Sequence, residues 1–338
     1  MTGGLRFTSV EDWQRWTGGH RRAERALRAA RGRLKPRVPQ VAKLLLPQGD
    51  PTILVVLDKL TSSHRAAVHA PLAHLDLART AVLTVDDPEL DGAWTEQTWT
   101  GPQQLPTSIR GVLSLGSFLA LSGSVKPWAT ARDIPFVVAQ HGLLTPWSPP
   151  AADGDLVLAW TEADAGYWTA GRPSVTATVV GSELLWRTTQ LPPATAKGDR
   201  LLMLGQLHGE ELPRSQTLRT YWEFCRREDA DYRPHPNEAD VVSRALHRAM
   251  RAGGITFEQS GRDLAELGRP VVSIFSTGTV EAAQRGLPAW VTHPDPPGWV
   301  RDFWDRYGLS RWGSDPTPAW PMPEQAPAAT VARILETV

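Results

Sequence analysis

The sequence has little cysteine, no net charge and no long apolar run. Its 338 residues include one cysteine, Cys225, which excludes an intrachain disulfide and a cysteine-rich zinc site. The 36 basic and 36 acidic residues cancel, so no general attraction to nucleic acid is expected. No stretch approaches the roughly 18 consecutive apolar residues of a membrane-spanning helix. These absences predict a soluble globular chain without a nucleic-acid partner.

The amino terminus lacks the apolar core of a signal peptide, which, with the single cysteine, predicts a cytoplasmic protein. Residues 9–35 are helical in pattern and strongly basic. The basic side chains are His20, Arg21, Arg22, Arg25, Arg28, Arg31, Arg33 and Lys35. We favour a solvated amphipathic helix here. The alternative is a surface for anionic lipid or a polyanionic glycan, which would give peripheral contact with the inner face of the membrane.

The sequence also lacks an acidic pair placed to hold Mg²⁺. Asp86 and Asp87 are adjacent, so their side chains would point apart on a strand. Asp229 and Asp231 come just before an expected strand rather than after it, and are interpreted as a solvated turn. The sequence therefore predicts neither a metal site nor a cofactor.

Apolar, β-branched runs alternate with helical segments along most of the chain, which indicates parallel sheets covered on both faces. In the first half we predict strands at 52–58, 80–85, 110–116, 134–139, 156–160 and 175–181, with helices at 62–77, near 118 and at 163–168. In the second half we predict strands at 200–205, 232–233, 255–257, 270–275 and 289–292, with helices at 215–227, 237–250, 262–267, 277–285 and 328–338.

Residues 188–199 are rich in proline, threonine and alanine, a composition typical of a linker. The predicted fold class is α/β, with two Rossmann-like domains facing a central cleft. The predicted domains are 1–190 and 191–338.

The stretch 276–288 has the strongest pattern in the chain. A buried strand leads into a turn of Ser276, Thr277, Gly278 and Thr279, which begins a short helix. Such a turn places N–H groups and hydroxyls at the carboxyl end of a parallel sheet, where anions such as nucleotide phosphates bind. Glu281 lies one turn into the helix, where it could accept hydrogen bonds from ribose hydroxyls. The alternative interpretation is an ordinary crossover with polar capping residues.

Two histidine dipeptides follow predicted strands. Gln140, His141 and Gly142 end a strand of the first half, and Arg233 precedes His235 and its proline in the second half. With the turn at Ser276, this order resembles bacterial glycosyltransferases of the GT-B fold that carry His-Gly and His-Pro motifs. That group includes sialyl- and polysialyltransferases, capsule Kdo transferases and CDP-glycerol glycerophosphotransferases, whose donors are activated by CMP or CDP.

The resemblance implies a role for each matching residue. The first domain would take the glycan acceptor and the second the nucleotide donor. His235, Ser276 and Thr277 would hold the donor phosphate, Glu281 the ribose, and His141 would face the reacting centre. The chain departs from the group in lacking an acidic general-base motif and a longer tryptophan-containing form of the His-Gly motif.

The chemistry of the transfer gives independent reasons for these residues. Negative charge builds on the leaving phosphate, so donors fixed in advance are needed, and Arg233, His235 and the Ser276 turn could supply them. An attacking hydroxyl must lose a proton, and His141 is the first candidate for the base. Asp58, at the end of the first strand, is a second candidate. The alternative for His141 is a structural histidine at a strand end, and for His235 it is a turn histidine whose neighbouring prolines only shape the loop.

Further polar residues follow strands in both halves. Gln206 and His208 come after the first strand of the second half and could contact the donor, whereas Glu183 follows the last strand of the first half and could face the acceptor. A turn and a helix cap are the alternative interpretations.

Together these observations predict a metal-independent glycosyltransferase that moves a sugar, or a polyol phosphate, from a CMP- or CDP-linked donor to a cell-envelope or capsular glycan. Two alternatives stay open. One is a UDP- or dTDP-sugar transferase, or a 2-epimerase, of the same fold. The other is a non-catalytic protein that binds a glycan or a nucleotide.

Overall fold

The computed structural model describes residues 3–20, 41–192, 198, 200–209 and 211–338. The chain forms two compact units. Unit 1 runs to Trp186 and resumes at Pro323–Val338, and unit 2 is the continuous stretch Arg187–Met322. The predicted α/β fold with two Rossmann-like domains is confirmed, since each unit is built on its own sheet with parallel strands at its centre.

Unit 1 contains an eight-stranded sheet. Its strands are β1 (Lys43–Leu46), β2 (Ile53–Leu57), β3 (Thr80–Thr84), β4 (Thr95–Thr98), β5 (Gly111–Ser114), β6 (Phe136–Ala139), β7 (Leu156–Ala159) and β8 (Thr176–Val179), in the order β4-β1-β3-β2-β5-β6-β7-β8. The six strands from β3 to β8 in that order are parallel, and β1 pairs antiparallel with both β3 and β4. The sequence prediction missed the two antiparallel strands.

Strand β2 shows why this sheet is covered on both faces. All five of its residues are buried. Leu54 and Val56 join one apolar cluster, whereas Val55 and Leu57 join the other. Because successive side chains of a strand point to opposite faces, a continuous apolar run requires a layer on each side of the sheet.

Helices and turns supply those layers. In unit 1 they are α1 (Val10–His20), α2 (Ser62–His64), α3 (Ala120–Thr130), α4 (Glu162–Thr169), the first half of α5 (Glu183–Gln190), which ends in unit 2, and α11 (Pro327–Thr337). The predicted helix at 62–77 is irregular, because α2 continues into a π-helical turn, Arg65–His69, and a 3₁₀ turn, Ala70–His74. Residues 21–35 of the predicted basic helix lie outside the described residues.

Unit 2 contains a four-stranded sheet in which every pair is parallel. Its strands are β9 (Leu202–Leu204), β10 (Asp231–Arg233), β11 (Val271–Ser273) and β12 (Ala289–Val291), in the order β10-β9-β11-β12. Its helices are α6 (Arg214–Arg227), α7 (Val241–Ala252), α8 (Leu264–Leu267), α9 (Thr277–Gln284) and α10 (Gly298–Arg306). The strand predicted at 255–257 is reduced to one bridge between Tyr232 and Phe257, and α10 was not predicted.

The carboxyl-terminal boundary differs from the sequence expectation. The prediction gave all of 191–338 to the second domain, but helix α11 belongs to unit 1. Its buried side chains Val331, Ala332 and Leu335 pack in the same cluster as Val55 of β2. The apolar face of α11 thus completes one of the two layers over the sheet of unit 1. Within the described ranges, no helix has the length and apolarity that crossing a bilayer requires.

Candidate functional site

Strand order marks one place on the sheet of unit 2 as a ligand crevice. The chain runs from β9 outward to β10 on one side and to β11 and β12 on the other, so the direction of winding reverses between β9 and β11. In open parallel sheets, ligands bind outside the carboxyl ends of the strands at this reversal. The loop after β9 carries Gln206 and His208, and the turn after β11 carries Ser276.

His235 follows β10 in a turn that fixes its tautomer. The backbone N–H of Asn237 donates to its Nδ1 at 3.1 Å, so the ring proton of a neutral His235 lies on Nε2. Burial lowers the pKa of His235 to about 4. At neutral pH it is therefore an uncharged imidazole that can donate a hydrogen bond through Nε2. A phosphate oxygen would accept such a bond.

Glu238 holds the loops around His235 in place, a role that no pattern in the sequence indicates. Its buried carboxylate accepts from the backbone N–H groups of Leu207 and His235, at 3.0 and 3.2 Å, and from the Tyr232 hydroxyl at 2.9 Å. His247 Nε2 lies 2.7 Å from the same carboxylate. One buried group therefore joins the loop after β9 to the loop after β10.

Close packing beneath these loops explains a glycine at the end of β9. A Cβ on Gly205 would lie 2.1 Å from the Tyr232 hydroxyl oxygen and 2.8 Å from Glu238 Oε1, so no larger residue fits. A few residues later the His208 ring stacks on His235, with ring centroids 4.2 Å apart and planes tilted by 23°. The predicted donor residues His208 and His235 are thus brought together.

The turn at Ser276 is largely satisfied by its own atoms. Ser276 Oγ accepts from the Gly278 N–H at 3.2 Å, and the Ser276 carbonyl accepts from the Thr279 N–H at 3.1 Å. The Thr279 hydroxyl is fully buried and lies 2.7 Å from Ser273 Oγ. The N–H groups of Gly278 and Thr279 are thus engaged within the turn, and the Ser276 hydroxyl keeps its own proton to donate to a ligand.

Gly278 has a packing role, whereas Thr277 lies nearer the surface. A Cβ on Gly278 would lie 2.7 Å from Leu204 and 2.8 Å from Leu264, so helix α9 meets its neighbours here without room for a side chain. Thr277 begins α9 and is half-buried. The prediction that both residues bind the donor stays untested, but the glycine is required by the core whatever binds outside.

Arg233 and Glu281 lie within electrostatic reach of each other. Arg233 donates to the Glu258 carboxylate at 2.8 Å and to the Arg262 carbonyl at 2.6 Å, so its guanidinium is engaged inside the protein. Burial, and then the negative charge of Asp263, raise the pKa of Glu281 to about 7, against a smaller opposing effect of Arg233. Glu281 is therefore poised to gain or lose a proton near neutral pH.

The raised pKa of Glu281 predicts a pH-dependent stability. Because the folded-state pKa lies above the ordinary 4.5, the contribution of this group is full below pH 4.5 and is lost as the pH rises through 7. Glu281→Gln should therefore gain stability relative to the wild type between pH 5 and pH 8. Urea unfolding at several pH values measures this difference, with the exposed Glu266→Gln as control. Parallel pH curves for wild type and Glu281→Gln would contradict it.

In unit 1, His141 lies directly after β6 and contacts a second histidine. The rings of His141 and His64 meet edge to face, with centroids 5.0 Å apart. Burial and then the neighbouring His64 lower the pKa of His141 to about 3, and burial and the charge of Lys59 lower that of His64 to about 4. Both imidazoles are therefore neutral at physiological pH. The sequence analysis missed His64, although it follows a strand end and a run of hydroxyl residues.

His64 also lies where the local helix is unusual. It immediately precedes the π-helical turn Arg65–His69, a rare form that is frequent at functional sites. Its Nδ1 is buried and has no hydrogen-bond partner within the described part of the chain. The contacting rings of His64 and His141 thus lie at the carboxyl edge of the unit 1 sheet, where His64 Nδ1 could still form a hydrogen bond.

Gln140 fixes the strand end that carries His141. Its amide nitrogen donates to the Gly142 carbonyl and to Asp164, each at 3.0 Å, and its Oε1 accepts from Trp168 Nε1 at 3.3 Å. Its backbone carbonyl accepts from the Trp160 indole at 2.9 Å. These bonds hold the Gln140 side chain inside the protein, and the prediction that Gln140 and Gly142 face the acceptor stays untested.

Asp58 caps a helix. Its carboxylate accepts from the backbone N–H groups of Leu121 and Ser122, at 2.7 and 3.2 Å, and from the Ser122 hydroxyl at 2.5 Å. These donors lie in the first turn of α3, where a carboxylate satisfies N–H groups that have no partner in the helix. Asp58 is therefore engaged in holding α3 to the end of β2, and we leave it out of the proposed chemistry.

Glu183 plays a similar part at the start of α5. It is buried, and its Oε2 accepts from the backbone N–H of Ala328 in the first turn of α11 at 3.0 Å. It borders a small cavity of about 20 Å³ with Gln140 and Trp160, large enough for about one water molecule. The observed contact ties α11 to unit 1, and the predicted contact with the acceptor stays untested.

Among the residues that the structure describes, no group of three or more His, Cys, Asp or Glu side chains is placed to hold a metal ion.

Comparison with known proteins assigns the chain to no family. No family model and no curated protein sequence matches the chain. Similar solved structures include two of UDP-GlcNAc 2-epimerase from Methanocaldococcus jannaschii, the second in complex with UDP-GlcNAc and UDP. They share 12% sequence identity, cover 68% and 69% of this chain and 77% of theirs, and have TM-scores of 0.38 and 0.42. Likeness at this level carries no argument about activity.

Proposed function

We propose that the protein is a nucleotide-sugar-dependent transferase. Unit 2 binds the activated donor, CMP- or CDP-linked, and unit 1 carries the groups that act on the acceptor hydroxyl of a cell-envelope or capsular glycan. The proposal includes a cytoplasmic location and peripheral contact with the membrane through the basic stretch 9–35.

One observation carries this proposal. At the crevice of the unit 2 sheet, His235 is held neutral with its proton on Nε2, stacked on His208 and anchored by Glu238. A buried, preorganised donor at this position suits an anionic leaving group, because the stabilising dipole does not have to reorganise as charge develops. The Ser276 hydroxyl, across the same crevice, is a second donor.

The expected reaction transfers the sugar from phosphate oxygen to acceptor oxygen. The acceptor hydroxyl oxygen forms a bond to the anomeric carbon while the bond from that carbon to the phosphate oxygen breaks, and the nucleotide leaves with the bonding electron pair. His235 and Ser276 donate hydrogen bonds to the phosphate that leaves. The acceptor proton passes to a ring nitrogen of His141, which is neutral and so has a lone pair to receive it.

Binding of nucleotides to the purified protein tests the proposal. A nucleotide present at about 100 times its dissociation constant should add roughly 2.7 kcal/mol to the free energy of unfolding. We expect stabilisation by CMP or CDP and a dissociation constant at least about tenfold weaker in His235→Ala, since a hydrogen bond to a charged group is lost. Thermal shift and calorimetric titration measure these effects.

Asn237→Ala is the matched control, because it retains the backbone N–H that holds the His235 ring while removing only an exposed side chain. It should bind as the wild type does. Stabilisation by UDP or dTDP alone would favour the other transferases or the 2-epimerase. No stabilisation by any of the four nucleotides would refute a nucleotide-dependent enzyme and favour a glycan-binding protein.

A further inference from the structure

The chain contains a second turn with the same local structure as the turn at His235. His293 follows β12 and is followed by Pro294, as His235 follows β10 and is followed by proline. In the first turn the N–H of Asn237 donates to His235 Nδ1 at 3.1 Å. In the second, the N–H of Asp295 donates to His293 Nδ1 at 3.2 Å. The sequence analysis recognised only the first of these two turns.

The shared hydrogen bond gives both histidines the same tautomer. With Nδ1 occupied as an acceptor, the ring proton of neutral His293 lies on Nε2. Burial lowers the pKa of His293 below its ordinary value, against a smaller opposing effect of Asp295. Its Nε2 is buried and has no hydrogen-bond partner among the residues described. The Nε2–H of His293 is therefore a hydrogen-bond donor of fixed orientation, and no residue of the described chain accepts its hydrogen bond.

The register of the sheet places the two histidines on one row. Arg233 lies opposite Leu204, Met203 opposite Val272, and Val272 opposite Trp290. Continuing each pairing past the strand ends aligns His235, Gln206, Phe275 and His293 in that order. The N–H of Thr292, one residue before His293, still donates to Ser273 of β11 at 2.8 Å, so this pairing persists up to the turn.

The row is symmetric about the crevice. The winding reverses between β9 and β11, so His235 lies one strand outside the crevice on one side and His293 lies one strand outside it on the other. Neighbouring strands are about 4.8 Å apart, which puts the ends of β10 and β12 about 14 Å apart at the backbone. The Ser276 turn follows Phe275 between them.

Resting on the proposed function, we propose that His293 is a second donor-binding residue, whose Nε2–H binds a phosphoryl oxygen on the opposite side of the crevice from His235. His235 and His293 are matched hydrogen-bond donors on either side of one crevice. They suit a ligand that has two phosphoryl groups, one for each histidine. The activated donor is therefore a nucleoside diphosphate derivative rather than a nucleoside monophosphate derivative. His293 favours the diphosphate because a monophosphate has no second phosphoryl group for it to bind.

Paired titrations test this assignment on the full-length protein. The probes are CDP with CMP, UDP with UMP and dTDP with dTMP, measured by calorimetry on the wild type, His293→Ala and His293→Gln. We expect the wild type to bind a diphosphate about tenfold or more tightly than its monophosphate. His293→Ala should lose about 10- to 100-fold in affinity for the diphosphate and less than about twofold for the monophosphate.

Two variants serve as controls. His293→Gln places an amide N–H near the position of Nε2 and should recover part of the diphosphate affinity, and Asp295→Ala keeps the backbone N–H that orients the ring and should bind normally. Equal wild-type affinity for both members of each pair, or an equal loss of both in His293→Ala, overturns the role of His293. Failure of the wild type to bind any of the six nucleotides instead refutes the proposed function itself.

Discussion

His141→Ala is expected to lower turnover about 10²- to 10⁴-fold while nucleotide affinity stays unchanged. The ring is neutral because burial and the adjacent His64 lower its pKa to about 3, so a lone pair is present throughout the physiological pH range. The residue belongs to unit 1, whereas His235 and the Ser276 turn belong to unit 2. Steady-state kinetics with the nucleotide donor that binds, together with nucleotide titration of the variant, measure both quantities.

A structural role for His141 would give a different result. If the ring only packs against His64, the variant should melt at a lower temperature and lose binding and turnover together. His74→Ala, an exposed histidine of the same unit, is the matched control and should retain wild-type kinetics. Wild-type turnover in folded His141→Ala would remove this residue from the reaction.

Glu238→Ala is expected to reduce the free energy of unfolding by about 3–5 kcal/mol, because three donors lose their acceptor and a buried donor without a partner costs about 1–3 kcal/mol. The substitution leaves the N–H groups of Leu207 and His235 and the Tyr232 hydroxyl without their acceptor. Buried donors that lose a partner keep the full cost of leaving water. Urea unfolding followed by tryptophan fluorescence measures the effect.

Glu223→Ala is the control for this substitution. Glu223 accepts from Arg219 at 2.7 Å on the exposed side of α6, and such surface pairs contribute less than about 1 kcal/mol. Glu238→Gln keeps the shape of the side chain, but its amide nitrogen cannot accept, so it should be destabilised to an intermediate degree. Equal stability of Glu238→Ala and Glu223→Ala would mean that the loops do not depend on this carboxylate.

The strands of the parallel sheets could be predicted because burial on both faces demands a continuous apolar run. Residues 53–57 and 136–139 are examples, and the sequence located both. The antiparallel strand β4 could not be found in this way, since its side chains are largely exposed and polar. Helix α2 was predicted as regular because its apolar spacing does not reveal the π-helical turn that follows His64.

The positions of the strand ends predicted which loops carry polar residues. They could not tell which of those side chains form hydrogen bonds within the protein instead of facing a ligand. Asp58 and Gln140 have the residue types of a site, yet their oxygens and nitrogens are occupied by backbone and side-chain partners of the protein. Glu238 is the opposite case, because the sequence did not mark it and the structure shows its role. It lies three residues after His235 in an unremarkable polar stretch, and its role depends on contacts with Leu207 and His247, which are distant in sequence.

The return of helix α11 to unit 1 sets an order for folding during synthesis. Unit 2 is encoded by one uninterrupted stretch, Arg187–Met322, and all its strands leave the ribosome before α11 does. Unit 1 is different, because Val331 and Leu335 share an apolar cluster with Val55 of β2, which was made nearly 280 residues earlier, a long loop to close. Synthesis therefore starts with unit 1 but completes it last. Until α11 is made, the apolar layer that it covers stays exposed, and chaperones would have to protect it.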